Sequence, residues 1–203
     1  MSRFILLLPL FLFISCSAYK QKATISTYVD PTFRQGQIQS LAIFSIDNDS
    51  LTPGDIQNLN KQVYEGIEKK NPYLGLIHPG KVNRILKKSA LEYNWQLFYI
   101  DYYRLGRPDA RILADLGRAL GAMAIQHIQI GDIVQQDGVY NEKTAITSVS
   151  VRFSIFDTNR GRLIWEGFSE GMKENELTYE KAPPLIEATE IALEKILVNY
   201  PAF

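Results

Sequence analysis

Apolar residues run almost unbroken from Phe4 to Ile14, after which residues 17–36, SAYKQKATISTYVDPTFRQG, show no sustained period. Apolar density rises again over 38–46. It is too high for a strand with one wet face, and so predicts a strand buried on both sides. Thr52-Pro53 reads as an N-cap followed by proline at the first helical position. Ile56, Leu59, Val63 and Ile67 then recur at steps of three or four, predicting a helix to Lys70. A short strand over 73–77 follows, and His78-Pro79-Gly80 opens a helix over 80–90 with Val82, Ile85 and Leu86 inward. In 93–105 the residues Trp95, Phe98, Tyr99 and Tyr102 have helical spacing. Gly106-Arg107-Pro108-Asp109 ends that helix and starts another over 109–120, with Ile112, Leu113, Leu116 and Leu120 inside and Gly121 as its C-cap.

Beyond Gly121 the period changes to two. Ile128, Ile130 and Val134, then Val149, Val151, Phe153 and Ile155, predict strands over 123–135 and 144–156, with a third over 162–171. Asp157-Thr158-Asn159-Arg160-Gly161 is a tight hairpin turn, and Asp137-Gly138 marks a longer loop between the first two of these strands. Pro183-Pro184 opens a last helix that buries Leu185, Ala188, Ile191, Ala192 and Ile196. The order β-α-β-α-α-α-β-β-β-α predicts one α/β domain over 37–203, three-layer-like, with a mixed sheet of about five strands flanked by helices.

The amino-terminal run changes the picture. Arg3, the stretch Phe4–Ile14 and the small residue Ser15 are the three parts of a secretory signal, so 1–15 reads as a signal peptide. The stretch is about 11 residues, short of the roughly 20 that span a bilayer. Cys16, the only cysteine, follows directly. Phe13-Ile14-Ser15-Cys16 resembles the lipobox of bacterial lipoproteins, with Phe where Leu is usual. That resemblance implies a diacylglycerol and an N-acyl chain on Cys16, which becomes the mature amino terminus. Ser17 in place of Asp at the next position implies the outer membrane by the enterobacterial sorting rule, with the domain on its periplasmic face. Residues 16–36 are then the lipidated terminus and a tether. About 20 flexible residues average roughly 25–30 Å from end to end.

Composition excludes some function classes. The chain has 22 basic and 22 acidic residues, a balance with no electrostatic footprint for nucleic acid. His78 and His127, the two histidines, lie near no Cys, His or carboxylate at metal spacing, and His127 within a strand should point to the second sheet face. Asp47-Asn48-Asp49-Ser50 lacks the glycine and the terminal acid of a calcium loop. Gly80-Lys81 lacks the upstream glycine and following Ser/Thr of a phosphate loop, and there is no Gly-x-Ser-x-Gly turn. Glu166, Glu170, Glu174 and Glu176 read as a solvated acidic cluster. These absences predict no catalytic residues, no metal, no cofactor beyond the covalent lipid, and no enzyme.

Leu113 to Ala122 runs straight into the strand Ile125–Ile130 and then Gly131-Asp132-Ile133. This resembles the helix, Leu-Gly-Ala, strand, Gly-x-Ile passage of the curli-secretion (CsgG-like) and TolB amino-terminal-domain-like lipoprotein superfamily. Asp157 to Trp165 resembles its D-x-x-x-G-x-x-x-W hairpin, and Leu41-Ala42-Ile43-Phe44-Ser45 its opening strand, without the proline. The resemblance implies an envelope lipoprotein that works by binding proteins. Its partners would be the membrane through the lipid, envelope or secretion proteins, and other copies of the chain. The expected function is a non-catalytic docking or assembly accessory for cell-envelope or secretion machinery. Two alternatives stay open: binding of a small apolar ligand such as a lipid, and a secretion-channel subunit. Trp95, Tyr99 and Tyr103 are the candidate partner-binding residues, since aromatics are enriched at binding hot spots. The competing reading places these rings in the core.

Overall fold

The computed structural model describes residues 20–140, 143–175 and 181–203. Two short strands come first, β1 (Lys20–Ala23) and β2 (Ser26–Val29), followed by β3 (Ser40–Ile43). Helix α1 (Pro53–Lys70), β4 (Gly75–Ile77), α2 (Pro79–Lys88), α3 (Glu92–Leu105) and α4 (Ala110–Leu120) follow. The chain continues through β5 (Ala124–Gln136), β6 (Ala145–Asp157), β7 (Arg162–Asn175) and α5 (Leu185–Val198). The seven strands form one sheet in the order β1-β7-β6-β5-β3-β4, with β2 also on β7. β3 runs parallel to β4 and β5, and every other pair is antiparallel.

Two hydrophobic clusters define the layers. Leu59, Val63 and Ile67 of α1 and Ala188, Ala192, Leu193 and Ile196 of α5 pack with Leu41, Ile43, Val149, Val151, Phe153 and Trp165 on one face of the sheet. Leu86 of α2, Phe98 and Tyr102 of α3, and Leu113 and Leu116 of α4 pack with Ala42, Phe44, Ile125 and Phe156 on the other. β3 alternates between the two clusters, which explains its uninterrupted apolar sequence. The single α/β domain with helices on both faces matches the sequence reading; the strand count does not.

Five strands were expected and seven form, because residues 20–29 join the sheet rather than a tether. Lys20 to Ala23 pair with Glu174 to Gly171, and Ser26 to Val29 with Phe168 to Trp165. Side chains of β1 and β2 stay almost wholly exposed. Backbone pairing with β7 holds them, and that leaves no apolar period in the sequence. Among the described residues the sheet therefore includes the chain from Lys20 on, ahead of the expected boundary at 37.

Local signals explain the helix positions. Thr52 Oγ1 accepts the Asp55 N–H at 3.2 Å while the Asp55 carboxylate accepts the Thr52 N–H at 3.2 Å, a reciprocal capping box. His78 caps α2 through Nδ1, which accepts the Gly80 N–H at 3.1 Å. Asp109 caps α4 by accepting from Arg111 and Ile112, and Gly121 ends that helix at φ +64°. In the β6–β7 turn Asp157 accepts the N–H groups of Asn159 and Arg160 at 2.9 Å, and Gly161 takes φ +64°. β5 bulges between Gly131 and Val134, where Asp132 sits at φ +45°. No described helix is long and apolar enough to cross a membrane.

Candidate functional site

The connection leaving β3 crosses one face of the sheet as α1. The chain that returns to β5 passes over the other face as α2, α3 and α4. The crevice beyond the carboxyl end of such a strand is where open α/β sheets commonly hold ligands. Here it is a cleft of about 400 Å³, lined by Phe44, Asp47, Lys87, Trp95, Tyr99 and His127 among others. Phe44 closes the end of β3 by donating its N–H to the Gln126 carbonyl at 3.0 Å, which sets His127 just past that edge.

The helical spacing of α3 turns Trp95, Tyr99 and Tyr103 toward the sheet. The Trp95 ring lies 3.8 Å from Phe44 and 5.2 Å from His127, centroid to centroid. Tyr99 lies 4.5 Å from His127, and the Tyr103 hydroxyl is 3.4 Å from His127 Nδ1. All three expected aromatics thus come together around one imidazole. His127 does face the second side of the sheet, but as the centre of this box rather than as filler. Its pairing with the aromatics was not readable from spacing, since α3 and β5 meet only in the fold.

Burial sets the electrostatics. It pushes the His127 pKa down to about 3, so the ring is neutral near pH 7. Burial likewise raises the Tyr99 phenol, with the Asp47 carboxylate adding to the shift, and raises the Tyr103 phenol well above its usual range. Tyr102 is pushed up to about 12 by burial and by Glu166. A neutral imidazole among protonated phenols offers hydrogen bonds and ring faces to a ligand.

Beside the box, Glu166 departs from the solvated cluster expected of it. It lies within β7, accepts from Arg152 at 3.2 Å and Ser154 at 3.1 Å, and receives the Tyr102 hydroxyl at 3.4 Å. Period-two alternation on β6 puts Arg152 and Ser154 on one face, and the register sets Glu166 opposite Ser154. Glu174 accepts from the Thr144 hydroxyl at 2.8 Å, whereas Glu176 lies outside the described residues. Among the described residues no group of three or more His, Cys, Asp or Glu could hold a metal ion.

Trp95, Tyr99 and Tyr103 are each only partly accessible. The outward face of α3 belongs instead to Tyr93, Leu97 and Ile100, which are 66%, 37% and 57% exposed. That stripe has the spacing i, i+4, i+7 and was legible in the sequence, where the richer aromatic series drew the reading inward. Cys16 and residues 1–15, read from the sequence as a signal peptide, lie outside the described residues.

Fold and cleft together define an α/β protein with a mixed seven-stranded sheet between two helix layers and an aromatic crevice at the end of its central parallel strand. No family model matches the chain, and no curated protein matches it. Among solved structures it is similar to the PelC dodecamer from Paraburkholderia phytofirmans, at 14% identity over 87% of this chain and 96% of that one, TM-score 0.46. It is also similar to lipoprotein GNA1162 from Neisseria meningitidis, at 13% identity over 79% and 98%, TM-score 0.48. The hypothetical protein CT253 from Chlamydia trachomatis follows, at 12% identity over 79% and 94%, TM-score 0.47. Likeness at this level assigns neither a family nor an activity.

Proposed function

We propose that this chain is a lipid-anchored lipoprotein on the periplasmic face of the outer membrane, serving as a non-catalytic docking or assembly accessory for envelope or secretion machinery. The observation that supports it is the spacing of the amino-terminal segment. The lipobox-like Phe13–Cys16 is separated from the first strand, at Lys20, by only Ser17, Ala18 and Tyr19. An acylated Cys16 would hold a folded domain against a membrane and leave it little reach, a geometry suited to local assembly. The resemblance to the CsgG-like and TolB amino-terminal-like superfamily belongs to this proposal, as does self-association of the chain.

The outward stripe Tyr93, Leu97 and Ile100 and the inward box Trp95, Tyr99 and Tyr103 offer two separable surfaces for a partner. Metabolic labelling with a clickable palmitate should mark the wild type and leave Cys16→Ala unmarked; label on neither removes the anchor. In crosslinking pull-downs, Leu97→Glu with Ile100→Glu should lose partners while keeping the fold. Tyr99→Ala with Tyr103→Ala should lower stability, since both rings pack against His127. Partners retained by the charged α3 variant would argue against docking through that stripe.

The cleft of about 400 Å³ supports a second reading, a small apolar ligand held beside Trp95 and Tyr99. Lipid extracted stoichiometrically from purified Cys16→Ala protein would favour that reading over docking. A channel subunit would need hairpin strands of about ten residues with an apolar outer side. β5 and β6 are committed to the sheet through Gln136 and Ala145, which leaves only the connection between them.

A further inference from the structure

β1 begins, at Lys20, at the end of the sheet where the β5–β6 hairpin projects. Lys20 pairs with Glu174, Glu174 with Ile146, and Ile146 with Gln136, so these four residues form one row across β1, β7, β6 and β5. At about 4.8 Å between strands, the row is roughly 14 Å wide. β1 runs from Lys20 into the sheet parallel to β6, which starts at Ala145 just beyond the row. Lys20 is therefore the end of β1 that faces the hairpin side.

The hairpin continues past this row in unbroken register. Gln136 pairs with Ile146, and Val139 still bridges Lys143, with N–H···O distances of 2.9 and 3.1 Å. Three further positions at about 3.4 Å carry it roughly 10 Å beyond the row. Cys16 stands four positions before Lys20, within about 14 Å of it even when the chain is fully extended. The tip's projection of roughly 10 Å is thus comparable with the longest reach that an anchor at Cys16 would have from Lys20. At the tip Val139 and Tyr140 are 45% and 57% exposed, and Val134 on the same hairpin is 54% exposed.

We infer that the β5–β6 tip, through Val139 and Tyr140, is a second membrane contact that seats in the interfacial layer of the bilayer holding the Cys16 acyl chains. Tyrosine suits that layer, having an apolar ring and a polar end. The occupant follows from the anchor: with three residues between Cys16 and Lys20, acyl chains on Cys16 would hold this end of the domain within about 14 Å of the lipid, close to the roughly 10 Å by which the tip projects. Lys20, Lys22 and Lys143 are exposed at this end, and Asp137 and Glu174 lie there too. Both signs of charge being present, burial of the apolar tip holds it, and the contact should persist in salt. The inference rests on the lipoprotein reading.

The test uses full-length protein purified from membranes and reconstituted in vesicles of phosphatidylethanolamine and phosphatidylglycerol. Cys16 is the only native thiol, so its acylation leaves Tyr140→Cys free for a polarity-sensitive fluorophore. Val139→Cys serves if that variant misfolds. Asn159→Cys, exposed in the turn at the far end of β6, is the control. The expected result is blue-shifted emission at the tip, quenched several-fold more by headgroup-level nitroxide lipid than at the control and unchanged in high salt. Mass spectrometry of the same preparation reads the acyl chains on Cys16. Acyl chains present with water-like emission at both positions overturns this inference alone. Their absence overturns the anchor and the inference together.

Discussion

His127→Phe should remove a pH dependence from folding stability. In the folded chain burial holds this imidazole at about 3, against about 6.5 for an unperturbed histidine. The unfolded chain binds the proton as pH falls below about 6.5, and the folded chain refuses it until about 3, so stability is full above that window and lost across it on acidification. At about 1.4 kcal/mol per unit, and with half of the unfolded imidazoles already protonated at pH 6.5, wild type should lose about 2.3 kcal/mol through this group between pH 6.5 and 4.5. Phenylalanine keeps the ring contacts with Trp95 and Tyr99 and forfeits only the long Tyr103 hydrogen bond, a cost of about 0.5–1 kcal/mol at neutral pH. Urea unfolding of both proteins at several pH values over that range gives the difference. Carboxylates titrate in both chains and largely cancel, which isolates His127. The difference should narrow on acidification and then change sign in favour of phenylalanine. A difference that stays constant with pH would refute the desolvated neutral imidazole and, with it, the packing of the three aromatics around it.

Three further outcomes can be checked by the same unfolding assay. Gly171→Ala should destabilise by about 1–3 kcal/mol or more, because its Cβ would lie 2.2 Å from the Ala188 carbonyl and 2.7 Å from the Ala192 nitrogen, both backbone atoms of α5. Gly54→Ala meets nothing closer than 3.8 Å and should instead stabilise by about 0.4–1 kcal/mol; a loss there would contradict the open first turn of α1. The buried Tyr200 hydroxyl donates to Gln126 Oε1, while Gln126 Nε2 has no partner among the described residues. Gln126→Leu alone should cost about 1–3 kcal/mol by orphaning the hydroxyl, and adding Tyr200→Phe should recover most of it; equal stability of single and double variants would sink this account.

Long apolar periods and helix caps made much of the fold legible. Ile56, Leu59, Val63 and Ile67 with the Thr52 cap marked α1, and the alternation through Val149, Val151, Phe153 and Ile155 marked β6. β1 and β2 were illegible for a physical reason: they are paired through backbone bonds to a strand more than a hundred residues away. Half of the candidate site was visible as the spacing of Trp95, Tyr99 and Tyr103. The other half was not, because His127 and Glu166 take their roles from partners on different elements. Gly171 carried no sequence signal either, yet it fixes how closely α5 approaches β7.

The pairing of β1 and β2 with β7 also orders events in time. Thr24 accepts from the Ser169 hydroxyl at 2.7 Å, across 145 residues of chain. During synthesis at about 5–20 residues per second, the first two strands wait on the order of 7–30 s before their template exists. Over that interval the amino-terminal segment is unable to take its native place, and closure of the sheet edge waits for nearly the whole polypeptide. A chain moved amino-terminus first through a narrow conduit keeps its leading end unfolded for that time. In such a transfer the segment to arrive first would be the last whose pairing could be completed.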